Sequence, residues 1–258
     1  MKAVLYPPAQ ALLCYHYFRG TKPTHVYLAG LGCGATGIYP SVIFGSELAC
    51  YHTLMPDLLG FGYSDCPSDF GYTIEEHADS IAYLLDHLHA TGCTMVGDSL
   101  GGTVAITLAT KRPDLVARLV LAEAALDPID LIGAGQSEQH YITNSHSIVL
   151  EQVRQITLSI DLSNRGWFPI FKRVPPHAFY RTAASLATGM QPNWREQLYE
   201  LKIPRLYIWS EENFREEYTG TLTKHGIQVA VIPQAIHQTV VWENPEAFVR
   251  AIVDFEAR

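Results

Sequence analysis

Gly97-Asp98-Ser99-Leu100-Gly101 is the stretch on which the fold turns. It has the form G-x-S-x-G. An apolar run, Cys93-Thr94-Met95-Val96, precedes it. Gly102-Thr103-Val104-Ala105-Ile106-Thr107-Leu108-Ala109-Thr110, suited to a buried helix, follows it. A strand-to-helix turn this tight forces its middle residue into strained backbone angles, and glycines two positions to either side leave room for the chain. The serine hydroxyl is lifted out of such a turn. The helix N-terminus then aims N–H groups at the place where an oxyanion would form. The pattern gains its meaning from the strand before and the helix after it, since Gly and Ser recur by chance in loops.

The 258 residues suffice for one large α/β domain, or for a core domain with an insert. A hydrophobic share of 48% supports a substantial core and argues against disorder. The net charge of −8 and a pI near 5.7 argue against nucleic acid and anionic membranes as main partners. No apolar run approaches the roughly 18 residues of a membrane span. Residues 1–8 lack the apolar stretch and small-residue cleavage site of a signal peptide, so a cytoplasmic location is expected. Five cysteines, at 14, 33, 50, 66 and 93, fit no zinc spacing. They are expected to be buried free thiols, with no metal and no cofactor.

Outward from the elbow, aromatic-rich residues 11–18 read as a strand, 24–29 as a buried one, and 50–55 as a third ending at Pro56-Asp57. Thr73-Ile74-Glu75-Glu76 has the form of a capping box. It opens an amphipathic helix with Ile74, His77, Ile81, Leu84, Leu85 and Leu88 on one side. Residues 118–122, 205–209 and 228–232 read as further strands. Asn244-Pro245-Glu246 opens a last helix with Phe248, Ile252 and Phe255 facing inward. Strands alternating with helices predict a mostly parallel twisted sheet flanked by helices on both faces. The rhythm breaks between Asp127 and Glu200. This stretch has helical patches such as 147–156 and aromatics at Trp167, Phe168, Phe171, Phe179, Tyr180 and Trp194. The predicted division is a core of 1–126 and 201–258 with a helical cap at 127–200. The cap would lie over the C-terminal sheet edge, where open α/β sheets bind ligands. Trp167, Phe168 and Phe171 are the candidate substrate contacts.

A serine hydroxyl needs a base. Of 11 histidines, only His237 combines a loop position after the last predicted strand with a following helix. These blocks together resemble the α/β-hydrolase fold superfamily. Leu28-Ala29-Gly30-Leu31-Gly32 stands where many members have His-Gly-x. Asp57-Leu58-Leu59-Gly60-Phe61-Gly62-Tyr63-Ser64 resembles their D-x-x-G-x-G-x-S loop. The elbow and His237, followed by Glu243-Asn244-Pro245-Glu246, complete the order. The resemblance implies an α/β-hydrolase fold and hydrolytic chemistry without fixing a substrate. By position it implies backbone N–H donors at Leu31 and Leu100 for the oxyanion, each typically worth about 10²–10³ in rate. Ala29 departs from the usual His, which is not itself an oxyanion donor.

The acid is where the chain departs from its relatives. Most carry an Asp a few residues after the strand that here is 205–209, and this chain reads Ser210-Glu211-Glu212-Asn213 there. An amide cannot supply the charge that stabilises an imidazolium. Glu123, directly after the strand 118–122, resembles the glutamate of a subgroup that includes some haloalkane dehalogenases. Glu212 or Glu211 is the alternative.

Gly32-Cys33-Gly34-Ala35-Thr36-Gly37 also matches G-x-G-x-x-G, with Asp57 after the next strand. A dinucleotide fingerprint needs a helix that starts within the glycines and holds the pyrophosphate on its N-terminus. Here Pro40 reads as the first turn of a later helix, which leaves the glycines as an open loop beside the elbow. The expected function is hydrolysis of a small, largely apolar ester or related acyl bond by a carboxylesterase-like Ser99–His237–Glu123 triad. A thioester or C–C bond, and a non-catalytic small-ligand receptor on the same fold, are the other readings. A nicotinamide-dependent oxidoreductase rests on the glycines alone.

Overall fold

The computed structural model describes residues 1–128, 174–235 and 240–258. Eight strands form one sheet: β1 (Lys2–Tyr6), β2 (Ala11–Phe18), β3 (Lys22–Leu28), β4 (Tyr51–Pro56), β5 (Cys93–Asp98), β6 (Val116–Ala122), β7 (Arg205–Ser210) and β8 (Gln228–Ile232). Their spatial order is β1-β2-β4-β3-β5-β6-β7-β8. The β1–β2 and β2–β4 pairs are antiparallel and the rest parallel.

Alternation along the central strands feeds two separate cores, because successive side chains point to opposite faces. Val26, Leu28, Met95, Leu119, Leu121 and Tyr207 enter one. Tyr27, Ala29, Val96, Val120, Ala122, Leu206 and Ile208 enter the other. Both faces being covered explains why these strands read as continuous apolar runs.

The first face is covered by α3 (Ile74–His87) and α4 (Leu100–Lys111). The second is covered by two single turns, α1 (Ala35–Ile38) and α2 (Pro40–Ile43), and by the C-terminal helix α8 (Pro245–Glu256). The capping box of α3 is formed. The Thr73 hydroxyl accepts from the Glu76 amide at 3.1 Å, and the Glu76 carboxylate accepts from the Thr73 amide at 3.0 Å. Asn244 caps α8, accepting from the Ala247 amide at 3.1 Å, and Phe248, Ile252 and Phe255 are buried. At about 1.5–3 kcal/mol per buried large apolar side chain, that face alone holds the helix in place.

Apart from the single turn α1, two longer elements lie beyond the sequence reading. One is β1, a short edge strand with alternating burial, fixed by its register with β2. The other is α7 (Glu216–Lys224), a charged surface helix whose one buried residue is Leu222. Of the stretch expected as a cap, residues 174–200 are described. They form α5 (Pro176–Thr188) and α6 (Trp194–Glu200). Ala178, Leu186, Trp194 and Leu198 share one core with α3 and α4, and α6 packs on α4. The helical patch 147–156, and Trp167, Phe168 and Phe171, lie outside the described residues.

The cysteines differ from expectation in burial. All five are free, but only Cys93 is buried and the other four are half-buried. Cys14 lies within β2, and Cys33, Cys50 and Cys66 lie outside the strands. Among the described residues no helix is long and apolar enough to cross a membrane. None of the His, Cys, Asp and Glu residues described forms a group of three or more that could hold a metal.

Candidate active site

The chain passes from β3 to β4 on one side and then to β5 on the other. The loops that leave the C-terminal ends of β3 and β5 therefore part in opposite directions, and a crevice opens between them. The loop 29–34 and the elbow meet there. Ser99 has φ 50° and ψ −116°, a region costly for any residue with a Cβ. The turn holds because its neighbours are small. A Cβ on Gly97 would meet the Gly101 backbone at 2.5 Å, one on Gly102 would meet the Ala124 Cβ at 2.5 Å, and one on Gly101 would overlap the Leu28 carbonyl. The Ser99 amide donates to the Ala122 carbonyl at 2.8 Å, which ties the elbow to β6. Leu100 is the first residue of α4, so its N–H is among the unpaired donors of a helix N-terminus. A Cβ on Gly30 would sit 3.5 Å from the Ser99 Cβ, so the loop that carries Leu31 runs beside Ser99.

That loop is braced from below by Asp57, which is fully buried. Its carboxylate accepts from the Thr36 amide at 2.9 Å, the Thr36 hydroxyl at 2.7 Å and the Tyr63 amide at 2.9 Å. Burial raises the Asp57 pKa, opposed by these Thr36 and Tyr63 donors. Asp57 also decides the fate of the glycine pattern. A short helix does start within the glycines, at Ala35 after Gly34, contrary to the open loop expected there. Its N-terminus is already filled by a carboxylate of the chain itself, which excludes a pyrophosphate from that place. Cys33, in the same loop, is held as a thiol: burial first, and then the charges of Asp98 and Asp57, push its pKa up to about 12.

One strand over, Glu123 leaves β6 with φ 50°, a second positive-φ residue at this edge. It is 6% exposed. One carboxylate oxygen accepts from the Ser210 amide and the Ser210 hydroxyl, both at 2.6 Å. The other accepts from the Asn213 side-chain amide at 3.1 Å. The residue in the usual place of the acid thus holds the carboxylate instead of replacing it. Ser210 was missed by the sequence reading, and its one signal is a small polar residue ending an apolar strand beside β6. Glu211 and Glu212 are exposed, and the Glu211 carboxylate accepts from the Gln234 amide at 2.8 Å. His237 lies outside the described residues.

A cleft of about 300 Å³ opens beside Glu123, with Leu126, Arg195, Trp209 and Tyr218 among its walls. Arg195 is engaged by Asp127, with a closest contact of 2.5 Å, and lies over the Tyr218 ring. The cleft therefore presents aromatic and aliphatic surface with a neutralised ion pair.

A family model described as alpha/beta hydrolase fold matches residues 31–155. The chain is 38% identical over 82 residues to haloalkane dehalogenase 2 of Mycobacterium tuberculosis, a match spanning 32% of this chain and 29% of that protein. It is 42% identical over 97 residues to 2-hydroxymuconate semialdehyde hydrolase of a Pseudomonas species, spanning 37% and 34%. These two matches thus cover about a third of each relative. The enol-lactonase of Burkholderia xenovorans superposes with a TM-score of 0.81 at 18% identity, over 100% of both chains. Sheet order, strained elbow and whole-chain superposition agree: the chain has the α/β-hydrolase fold.

Proposed function

We propose that the protein is a serine hydrolase that cleaves a small, largely apolar ester or related acyl bond through an acyl-enzyme. The observation that carries this reading is the backbone of Ser99, held at φ 50° at the crevice between β3 and β5. Such strain costs about 1–3 kcal/mol and persists where a site uses it. The hydrolytic names of the relatives support the same chemistry. The likeness to a haloalkane dehalogenase does not extend to dehalogenation, which needs a carboxylate nucleophile where this chain has Ser99.

In this reading the Ser99 Oγ attacks the carbonyl carbon while its proton passes to His237. The N–H groups of Leu31 and Leu100 hold the oxyanion. Collapse expels the alcohol, which takes the proton from His237. A water molecule, deprotonated by the same imidazole, then attacks the acyl carbon, releases the acid and restores Ser99. Glu123 orients the imidazole and balances its charge. The aromatic and aliphatic walls of the cleft beside Glu123, at Leu126, Trp209 and Tyr218, support an apolar substrate.

The test combines a fluorophosphonate probe with a chain-length series of p-nitrophenyl esters. Wild type should be labelled and should turn over short acyl chains best. Ser99→Ala should lose labelling and at least about a thousandfold in kcat. Undiminished labelling of Ser99→Ala removes the serine-hydrolase reading.

A further inference from the structure

We propose that Ser210 and Asn213 are positioning residues for the acid, fixing the Glu123 carboxylate from the loop where most relatives carry the acid itself. The inference rests on the serine-hydrolase reading and adds residues to it. The geometry is specific. Ser210 gives two donors to one Glu123 oxygen, the Asn213 side chain gives one to the other, and the Asn213 backbone N–H donates to the Ser210 hydroxyl at 3.3 Å. One loop thus grips both oxygens of one carboxylate and fixes its plane. Each of these contacts donates, which suits an ionised acid in a buried place.

The identity of residue 213 follows from the same geometry. Its side-chain nitrogen is 3.1 Å from the Glu123 carboxylate. An aspartate there would put two carboxylates within hydrogen-bond distance, and like charges that close cannot both ionise freely. A neutral donor is therefore the choice that leaves Glu123 able to carry the charge. A chain that moves its acid to β6 needs an amide, or something like it, after β7.

The experiment reads p-nitrophenyl butyrate turnover and its pH profile in the full chain. Asn213→Ala and Ser210→Ala should each lower kcat about tenfold or more, as expected for a hydrogen bond to a charged group, with KM little changed. The acid limb of kcat/KM should move to lower pH in both, because a less firmly held carboxylate stabilises the imidazolium less. Asn213→Asp should move that limb upward by roughly one unit through its added charge. In the Glu123→Gln background, Asn213→Asp should restore at least about tenfold of the lost kcat, since its carboxylate lies one hydrogen bond from the missing charge. Ser210→Ala keeps the backbone donor, so it remains informative if the Asn213 variants fail to fold in thermal melts.

The proposal is overturned if the single variants match wild type in kcat and pH profile and the double variant is no better than Glu123→Gln. Fluorophosphonate labelling keeps two failures apart. If wild type is labelled at Ser99 while the Ser210 and Asn213 variants match it in kcat and pH profile, only the positioning role is lost. If Glu123→Gln is itself as active as wild type, the assignment of the acid falls, and the positioning role with it.

Discussion

Ser99 and Glu123 share an uncommon backbone property, a positive φ without glycine, and they end adjacent strands. In each case the chain turns sharply at the sheet edge and presents a polar side chain where an apolar strand has just ended. Asp57 does comparable work one layer down. Its three donors join the loop 29–36 to the loop 57–64, and Gly34 and Gly62 leave space for the carboxylate. Asp57→Asn keeps the shape but offers one acceptor oxygen to three donors. It should cost about 1–3 kcal/mol of stability at pH 7, read from urea midpoints. It should also lower kcat more than it raises KM on aryl esters, because the Leu31 amide depends on that loop. A kcat unchanged from wild type would show that Asp57 does not support catalysis through the loop that carries Leu31. The elbow, the glycine-rich loop and Asp57 were all visible as residues in the chain. Their mutual bracing was not, because Thr36 and Asp57 meet through space across 21 positions.

At the scale of elements, local sequence was a good guide wherever an element's own side chains decide it. The capping box at Thr73, the cap at Asn244 and the inward face of α8 were all readable because each is set within one or two turns. Thr73→Ala should cost about 1 kcal/mol, and Phe248→Ala about 3–5 kcal/mol through the cavity left in the second core. Both are measurable by chemical denaturation. A Phe248→Ala loss no larger than that of Thr73→Ala would mean that α8 collapses onto the gap. β1 was not legible, since five residues with alternating burial become a strand only when β2 lies beside them. α7 escaped for the opposite reason: it buries little, so it leaves hardly any apolar periodicity.

At the scale of the molecule, one buried and one half-buried group couple stability to pH. His77 of α3 is enclosed by Phe61, Phe70 and Tyr72 and contacts the Thr182 hydroxyl of α5 at 3.2 Å. Burial lowers its pKa to about 3. Between that value and the unfolded value near about 6.5, the unfolded chain binds the proton and the folded chain does not. Stability is therefore full above pH 6.5 and falls as pH drops below it, by up to about 1.4 kcal/mol per unit. Urea midpoints between pH 7.5 and 5.5 should show this slope in wild type and lose it in His77→Leu. An equal slope in both would assign the dependence to other groups.

Glu256 acts lower on the scale. It lies 3.2 Å from the buried His25 ring and accepts from the Thr94 hydroxyl at 2.8 Å, and so ties α8 to the sheet. Its pKa is lowered, with these partners outweighing its desolvation. Its contribution is present above the ordinary carboxylate range and is lost as pH falls through the lowered value.

By itself the sequence determined the alternation of strands and helices, the elbow at Ser99 and the caps. Each depends on periodicity, sterics or hydrogen bonds among residues close in the chain. Only the tertiary structure decided what holds the Glu123 carboxylate. Glu123 and Ser210 are 87 positions apart and meet because β6 and β7 pair in a fixed parallel register. That register is set by burial on both faces of the sheet, a property of the assembled layers and not of any one segment.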